Sequence, residues 1–307
     1  MKTVMPDCWQ GFACLAGACR HCCCLGWEID IDDAALARYR AVLGELGQRL
    51  RRAIANAEDG TAHFRLTPEE RCPFLNREGL CDLILALGED SLCQICADHP
   101  RFFNEFAGRL EIGFGLCCEA AGALLLGHEE PLWLVETDGG GMDGTPDEEE
   151  AALLALRDGL IARMQDRSLP FAERLTRLAQ RCRYPQRPWP AWRAFMLSLE
   201  RLDEAWADAL TALPEEPPSL PERWDIPFEQ LSVYLLLRHL PGALEDGDVT
   251  GRVRYCVLIV SLIQALLSAQ AAPTLDSLVE LCRLYSSEIE YSDENVGAVL
   301  DELSRIG

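Results

Sequence analysis

Phe12-Ala-Cys14-Leu-Ala-Gly-Ala-Cys19-Arg-His-Cys22-Cys23-Cys24-Leu-Gly-Trp27-Glu-Ile-Asp-Ile-Asp32 places five thiols ahead of a short alternating stretch. Twelve of the fifteen cysteines fall within the first 118 residues; only Cys182, Cys256 and Cys282 follow. The spacings Cys19-Arg-His-Cys22 and Cys93-Gln-Ile-Cys96 suit chelation of one ion or cluster. Cys22, Cys23 and Cys24 are too close in the chain to bridge one another without strain. Residues 1–17 contain no apolar run behind a basic start, so a reducing, cytoplasmic setting is expected, where such patterns mark metal or redox chemistry.

Outward from this stretch, Trp27, Ile29 and Ile31 alternate with acids and predict a strand that ends at Asp32. Leu36, Tyr39, Leu43, Leu46, Leu50 and Ile54 recur at helical spacing. Residues 102–106 and 109–116 predict two strands around Ala107-Gly108. The Gly- and Asp-rich segment 137–147 cannot hold a helix or central strand and is expected to be a linker. Beyond it, a stripe of Leu153, Leu156, Leu160 and Met164 opens a run of helical patterns. These continue over 171–181, 191–213, 228–240, 253–269, 274–286 and 293–306. The expected architecture is mainly α: a cysteine-rich α+β metal-binding domain over 1–136, a linker over 137–147, and an all-helical domain over 148–307 packed on the first.

Charge narrows the function. Fifty acids against 28 bases give a net charge of −22, which disfavours nucleic acid as a partner; it would favour a basic group such as a lysine side chain, though on charge alone simple solubility is the plainer interpretation. The apolar run Tyr255–Ala269 is shorter than the roughly 18 residues of a membrane span, so a buried helix and no membrane insertion are expected. No Cys-x3-Cys-x2-Cys of radical S-adenosylmethionine enzymes is present. Gly139-Gly-Gly141 lacks the strand-to-helix context of a dinucleotide turn. His21 and His99 lie beside the cysteines and read as surface residues or neighbours of ligands. Cys8, Cys182, Cys256 and Cys282 lack partners at ligand spacing and read as small buried hydrophobes.

Four stretches together resemble the flagellin lysine-N-methylases, within a broader set of zinc- or iron-chelating cysteine-cluster proteins. They are the opening motif quoted above, Cys72-Pro-Phe-Leu75 with Gly79-Leu-Cys81, Leu92-Cys93-Gln-Ile-Cys96 with Pro100-Arg101, and the remote Tyr285-Ser-Ser-Glu288-Ile-Glu290-Tyr-Ser-Asp-Glu-Asn295. The chain departs from the family pattern at Cys22, where a small polar residue is usual, and at Cys118, where Pro is expected. It also has Ser287 and Tyr291 where Arg and His are more frequent. The residues matching the family's thiols are Cys14, Cys19, Cys23, Cys24, Cys72, Cys81, Cys93, Cys96 and Cys117. The resemblance favours an iron–sulfur cluster, of the 4Fe–4S type, with zinc as the alternative; spacing alone does not separate the two.

The resemblance further implies methyl transfer from S-adenosylmethionine to lysine ε-amines of flagellin, with Glu288, Glu290 and Asn295 at the reaction site. A carboxylate pair could hold the ammonium and take its proton, since only the neutral amine attacks a methyl group. The plainer interpretation of that segment is an exposed acidic stretch with Ser292 capping the next helix. The rival function is a non-catalytic metal or iron–sulfur module that handles clusters or acts as a scaffold.

Overall fold

The computed structural model describes residues 2–137 and 144–307. Most of the expected linker, residues 138–143, lies outside the described residues. The elements run β1 (Lys2–Pro6), β2 (Ile29–Asp30), α1 (Asp33–Ala41), α2 (Gly44–Ala53), β3 (Ile54–Asn56), β4 (Ala62–Phe64), α3 (Asp82–Leu87) and α4 (Gln94–Asp98). They continue with β5 (Arg101–Phe106), β6 (Arg109–Phe114), α5 (Glu119–Leu126), β7 (Leu134–Thr137), α6 (Glu148–Met164), α7 (Phe171–Arg181), α8 (Trp189–Ser198) and α9 (Glu204–Thr211). The chain ends with α10 (Asp225–His239), α11 (Ala243–Asp246), α12 (Val249–Ser268), α13 (Leu275–Tyr285) and α14 (Asp293–Ile306). The fold is mainly α with two small sheets, and residues 148–307 hold no strand among the described residues.

Two compact units emerge, and their boundaries differ from those expected. One is Ala13–Arg101; the other joins Met1–Phe12 to Phe102–Gly307. Residues 1–136 are therefore not one body. The physical reason is strand pairing: β1 runs parallel to β6 and antiparallel to β7, which ties the N-terminus and residues 102–137 into the helical unit. The pattern 1–6 is too short and carries too little turn punctuation to announce this pairing.

The unit Ala13–Arg101 is built on a three-stranded antiparallel sheet of order β2-β4-β3. Its core places Ile29, Tyr39, Leu50, Phe64 and Phe74 beside the buried thiols Cys72 and Cys93. Asp32, the end of the opening motif, accepts from Ala35 N to cap α1 and from Gln94 N at the start of the Cys93–Cys96 turn. The single helix expected across 36–54 is divided into α1 and α2, because Val42 and Leu43 take extended backbone.

In the other unit a sheet of order β5-β6-β1-β7 accompanies the helices. Here α12 packs against α10, α13 and α14, while α10 also meets α5, α6 and α7. By length and composition α12 could cross a membrane, but 67% of its apolar window is buried within the protein, as a core helix requires. Cys8, Cys182, Cys256 and Cys282 are buried in this core, as their isolation in sequence suggested. The helix expected over 191–213 is split between Ser198 and Glu204, and the break is where Glu288 docks.

Candidate functional site

The acidic C-terminal motif is not an exposed stretch. Glu288, Glu290 and Asn295 are all buried. The two glutamates lie at the end of α13, where Tyr291 N donates to Ser286 O and the backbone widens into a π-helical turn over Ser286–Glu290, and Asn295 lies in the first turn of α14. Two residues along a helix point about 200° apart, so Glu288 and Glu290 face different surroundings.

Glu288 and Asn295 are tied to the polypeptide backbone. Both Glu288 oxygens are engaged, by Leu202 N at 2.8 Å and Asp203 N at 2.9 Å, the otherwise orphaned donors at the start of α9. Asn295 Nδ2 donates to Glu288 O and Glu200 O, holding the same turn. Ser292 does cap α14, accepting from Asn295 N. The structure thus separates the three carried-over residues: two hold a loop, and one faces a cleft.

That one is Glu290. Its Oε2 accepts from Tyr234 Oη and Ser286 Oγ, each at 2.6 Å, while Oε1 meets His239 Nε2 at 2.9 Å and Arg238 Nε at 3.2 Å. Burial alone would raise this carboxyl, but the Arg238 charge and the His239 and Ser286 hydrogen bonds outweigh it and hold its pKa at about 2. Burial lowers the pKa of His239, so its imidazole is neutral. A carboxylate has no proton to give, so Nε2 carries the imidazole proton and Nδ1 keeps the lone pair. Burial likewise raises Tyr234 well above its usual range and keeps it a donor.

Glu290 and Arg238 line a cleft of about 840 Å³, within the roughly 300–1,000 Å³ of small-molecule sites. Glu105, Glu245, Asp246 and Asp293 add carboxylates to its wall; Phe102, Phe103 and Phe106 add aromatic rings, and Arg252 is its other guanidinium. Acids and aromatic faces together suit an organic cation. Two further buried carboxylates, Glu111 and Glu229, are instead paired with arginines, Arg157 and the Arg167–Arg174 couple, and do not line this cleft.

Two glycines make room for the aromatic wall. A Cβ at Gly113 would stand 2.1 Å from Phe102 Cζ, and one at Gly115 would stand 2.2 Å from Tyr291 Oη. Tyr291 also hydrogen-bonds the Cys117 thiol, which burial pushes up to about 12. Cys117, grouped by resemblance with the other thiols, therefore belongs to the Glu290 neighbourhood and to a different compact unit from the remaining eight.

Those eight lie in Ala13–Arg101. Cys23 bonds Cys24 and His99, and Cys93 bonds Cys96. The hydrogen bond from Cys24, then that from His99, holds the Cys23 thiol down at about 4, while Cys24 is raised. Cys93 is lowered by its bond to Cys96, which is raised in turn. Cys72 lies in electrostatic reach of Cys24 and also of Cys81, Cys93 and Cys96, so segments distant in sequence do meet. The backbone explains part of this, since Cys72 N donates to Cys24 O at 2.9 Å. Cys14 and Cys19 make local contacts, with Ala16 N and His21 O. Among the described residues, no three His, Cys, Asp or Glu side chains are gathered so as to hold a metal ion.

Arg238, His239, Tyr234 and Phe102 were not singled out from sequence. The available signal was Arg238-His239 closing the apolar stretch 233–237 of α10, which is also what a helix C-terminus favours on dipole grounds.

No family model matches this chain. Over 130 residues it is 24% identical to a Lysine-N-methylase of Salmonella typhimurium and to another of Salmonella choleraesuis, covering 41% of this chain. The match spans 32% of those relatives, about a third of their length. It is also 23% identical to the Flagellar biosynthetic protein FliU of Salmonella muenchen, over 77% of that protein. No solved structure matches.

Proposed function

We propose that this chain is a protein-lysine methyltransferase acting on flagellin, and that the Glu290 cleft receives the lysine side chain. The observation that carries this is a buried carboxylate, held ionised down to about pH 2, at a cleft walled by acids and aromatic rings. The names of the distant relatives support the class of reaction and its flagellar setting.

Glu290 and His239 divide the work that the sequence assigned to a pair of carboxylates. A lysine ammonium, with an ordinary pKa near 10.4, must lose a proton before its nitrogen can attack. Glu290, with a pKa of about 2, is a weak base and serves as the fixed counter-charge that draws the ammonium in. Neutral His239 takes the proton at Nδ1, and the carboxylate at its Nε2 stabilises the imidazolium that results. Tyr234 and Ser286 hold the carboxylate in place by hydrogen bonds to its Oε2. S-adenosylmethionine, when bound, supplies an electrophilic methyl on a cationic sulfur, a charge that the same carboxylate and aromatic lining accommodates.

The thiols Cys23, Cys24, Cys72, Cys81, Cys93 and Cys96 fit a metal or iron–sulfur centre in their chemistry and neighbourhood, though they are paired rather than gathered as a four-ligand set. Such a centre would organise the fold of Ala13–Arg101, and no step of the methyl transfer is routed through it.

Purified full-length chain, incubated with flagellin and isotopically labelled S-adenosylmethionine, is expected to place label on lysine side chains, read by peptide mass spectrometry. Folded, metal-replete protein that leaves every lysine unlabelled would overturn the proposal.

A further inference from the structure

The cleft contains a cation of its own. The Arg238 guanidinium lies 4.3 Å from the centroid of the Phe102 ring and 4.8 Å from that of Tyr291, with its Nε 3.2 Å from Glu290 Oε1. Two aromatic faces and a carboxylate make up the wall chemistry by which proteins hold alkylammonium groups. Here these groups surround a side chain of the protein itself. The two close approaches at Gly113 and Gly115 show that the cage is built around its rings, since a Cβ at either position would displace one of them.

We propose that Arg238 is an internal plug, occupying a cation cage made by Phe102, Tyr291 and Glu290, and that an incoming primary alkylammonium side chain displaces it. The proposal rests on the lysine-binding assignment above and adds how the site is kept closed to other cations. Arg238 is well suited to leave. It is at the last turn of α10 and lines the open cleft, so rotation about its side-chain bonds can carry the charge towards Glu105, Glu245, Asp246 or Asp293 without moving the helix. The incoming ammonium replaces the charge lost beside Glu290, so the buried carboxylate is never left unpaired, which is the costly state. Competition by the plug weakens ligand binding by the fraction of protein in which the cage is free.

The test uses Nα-acetyl-lysine methylamide as the probe and isothermal titration calorimetry on the full chain. Arg238→Ala is expected to bind the probe at least ten-fold tighter than the unaltered protein. Arg238→Lys, which keeps a cation in place, is expected to stay within a few-fold of the unaltered protein. Adding Phe102→Ala to Arg238→Ala is expected to reverse the gain. Should Arg238→Ala fold poorly, as judged by thermal melting, the single variant Phe102→Ala decides the matter in the native background: it loosens both plug and probe, so affinity changes less than three-fold. Equal affinity for Arg238→Ala and the unaltered protein, or a gain that survives Phe102→Ala, overturns the plug; so does a loss of ten-fold or more in Phe102→Ala alone. If the probe binds as expected but flagellin is never methylated, the cage stands and the methyltransferase proposal falls. Methylation without a gain in Arg238→Ala leaves the methyltransferase and removes the plug.

Discussion

The two compact units bury polar chemistry in opposite ways. In Ala13–Arg101 it is soft and arranged in pairs: thiols bond thiols, and Cys72 and Cys93 share a core with Phe64 and Phe74. In the unit containing Phe102–Gly307 it is ionic: Glu111 and Glu229 are paired with arginines, and Glu290 is satisfied by donors from α10 and from the π-helical turn. Short-range spacing in sequence dictates the first, because the thiols that bond one another are adjacent or three positions apart in the chain. The second depends on helix packing, which brings residues 234–239 against 286–290 across some fifty positions. The buried Glu290 and the most conspicuous motif of the chain therefore lie at opposite ends of the sequence.

The largest expected effect tests the thiol unit. Replacing Cys72, the thiol in reach of both pairs, by Ser should remove bound metal and most soluble protein together, since metal binding at such a site is folding free energy. Glu290→Gln should leave metal content as it is. Metal analysis that shows both variants equally loaded would erase the contrast between the units.

Next in size is the base. His239→Asn should lower methyl-transfer turnover by about 10²–10⁴, the usual worth of general base catalysis. The unaltered protein should gain rate with rising pH and level off, with its break below the ordinary histidine value of 6.5, because a base works only once deprotonated. His239→Asn should lose that break. A variant with the same profile would return the proton-acceptor role to some other group.

Glu288→Ala is expected to cost roughly 1–3 kcal/mol of stability, by leaving the Leu202 and Asp203 amides without their acceptor. Thermal melting reads this directly, and probe affinity at the cleft should hold. Affinity falling in step with stability would show that the two carboxylates are not separate. The pH dependence has a defined sign as well. Glu290 is depressed from 4.5 to about 2, so its contribution is complete above pH 4.5 and is lost as pH falls towards 2. Denaturation series at several pH values should show a steeper acid loss in the unaltered protein than in Glu290→Gln. The smallest effect belongs to Gly113→Ala, which crowds Phe102 and so disturbs plug and probe alike: cation affinity should change less than three-fold with the fold retained.

Helices were the most legible part of the sequence. The patterns over 171–181, 228–240, 253–269, 274–286 and 293–306 correspond to α7, α10, α12, α13 and α14, because long amphipathic or apolar periods survive any packing. Strands β1 and β7 were not legible, being short segments whose pairing is settled by partners about 105 to 135 positions away. Breaks within periodic runs also escaped notice: the gap between α8 and α9 is held open by the remote Glu288, and its local mark is Asp203, which caps α9 by accepting from Ala205 N. At the candidate site, resemblance pointed to Glu290 but could not separate it from Glu288 and Asn295. Their difference lies in which neighbours a π-helical turn presents to each side chain. Arg238 and His239 look in sequence like ordinary helix-ending cations, and only the fold turns them towards a buried carboxylate.

The central claim is that ionised Glu290 is the counter-charge for a substrate ammonium. The most direct measurement is the affinity of Nα-acetyl-lysine methylamide for the unaltered protein and for Glu290→Gln at neutral pH, with circular dichroism to verify that both are folded. The account predicts at least a ten-fold loss in Glu290→Gln, since the substitution removes the charge with little change in shape. Equal affinity in two folded proteins would contradict it.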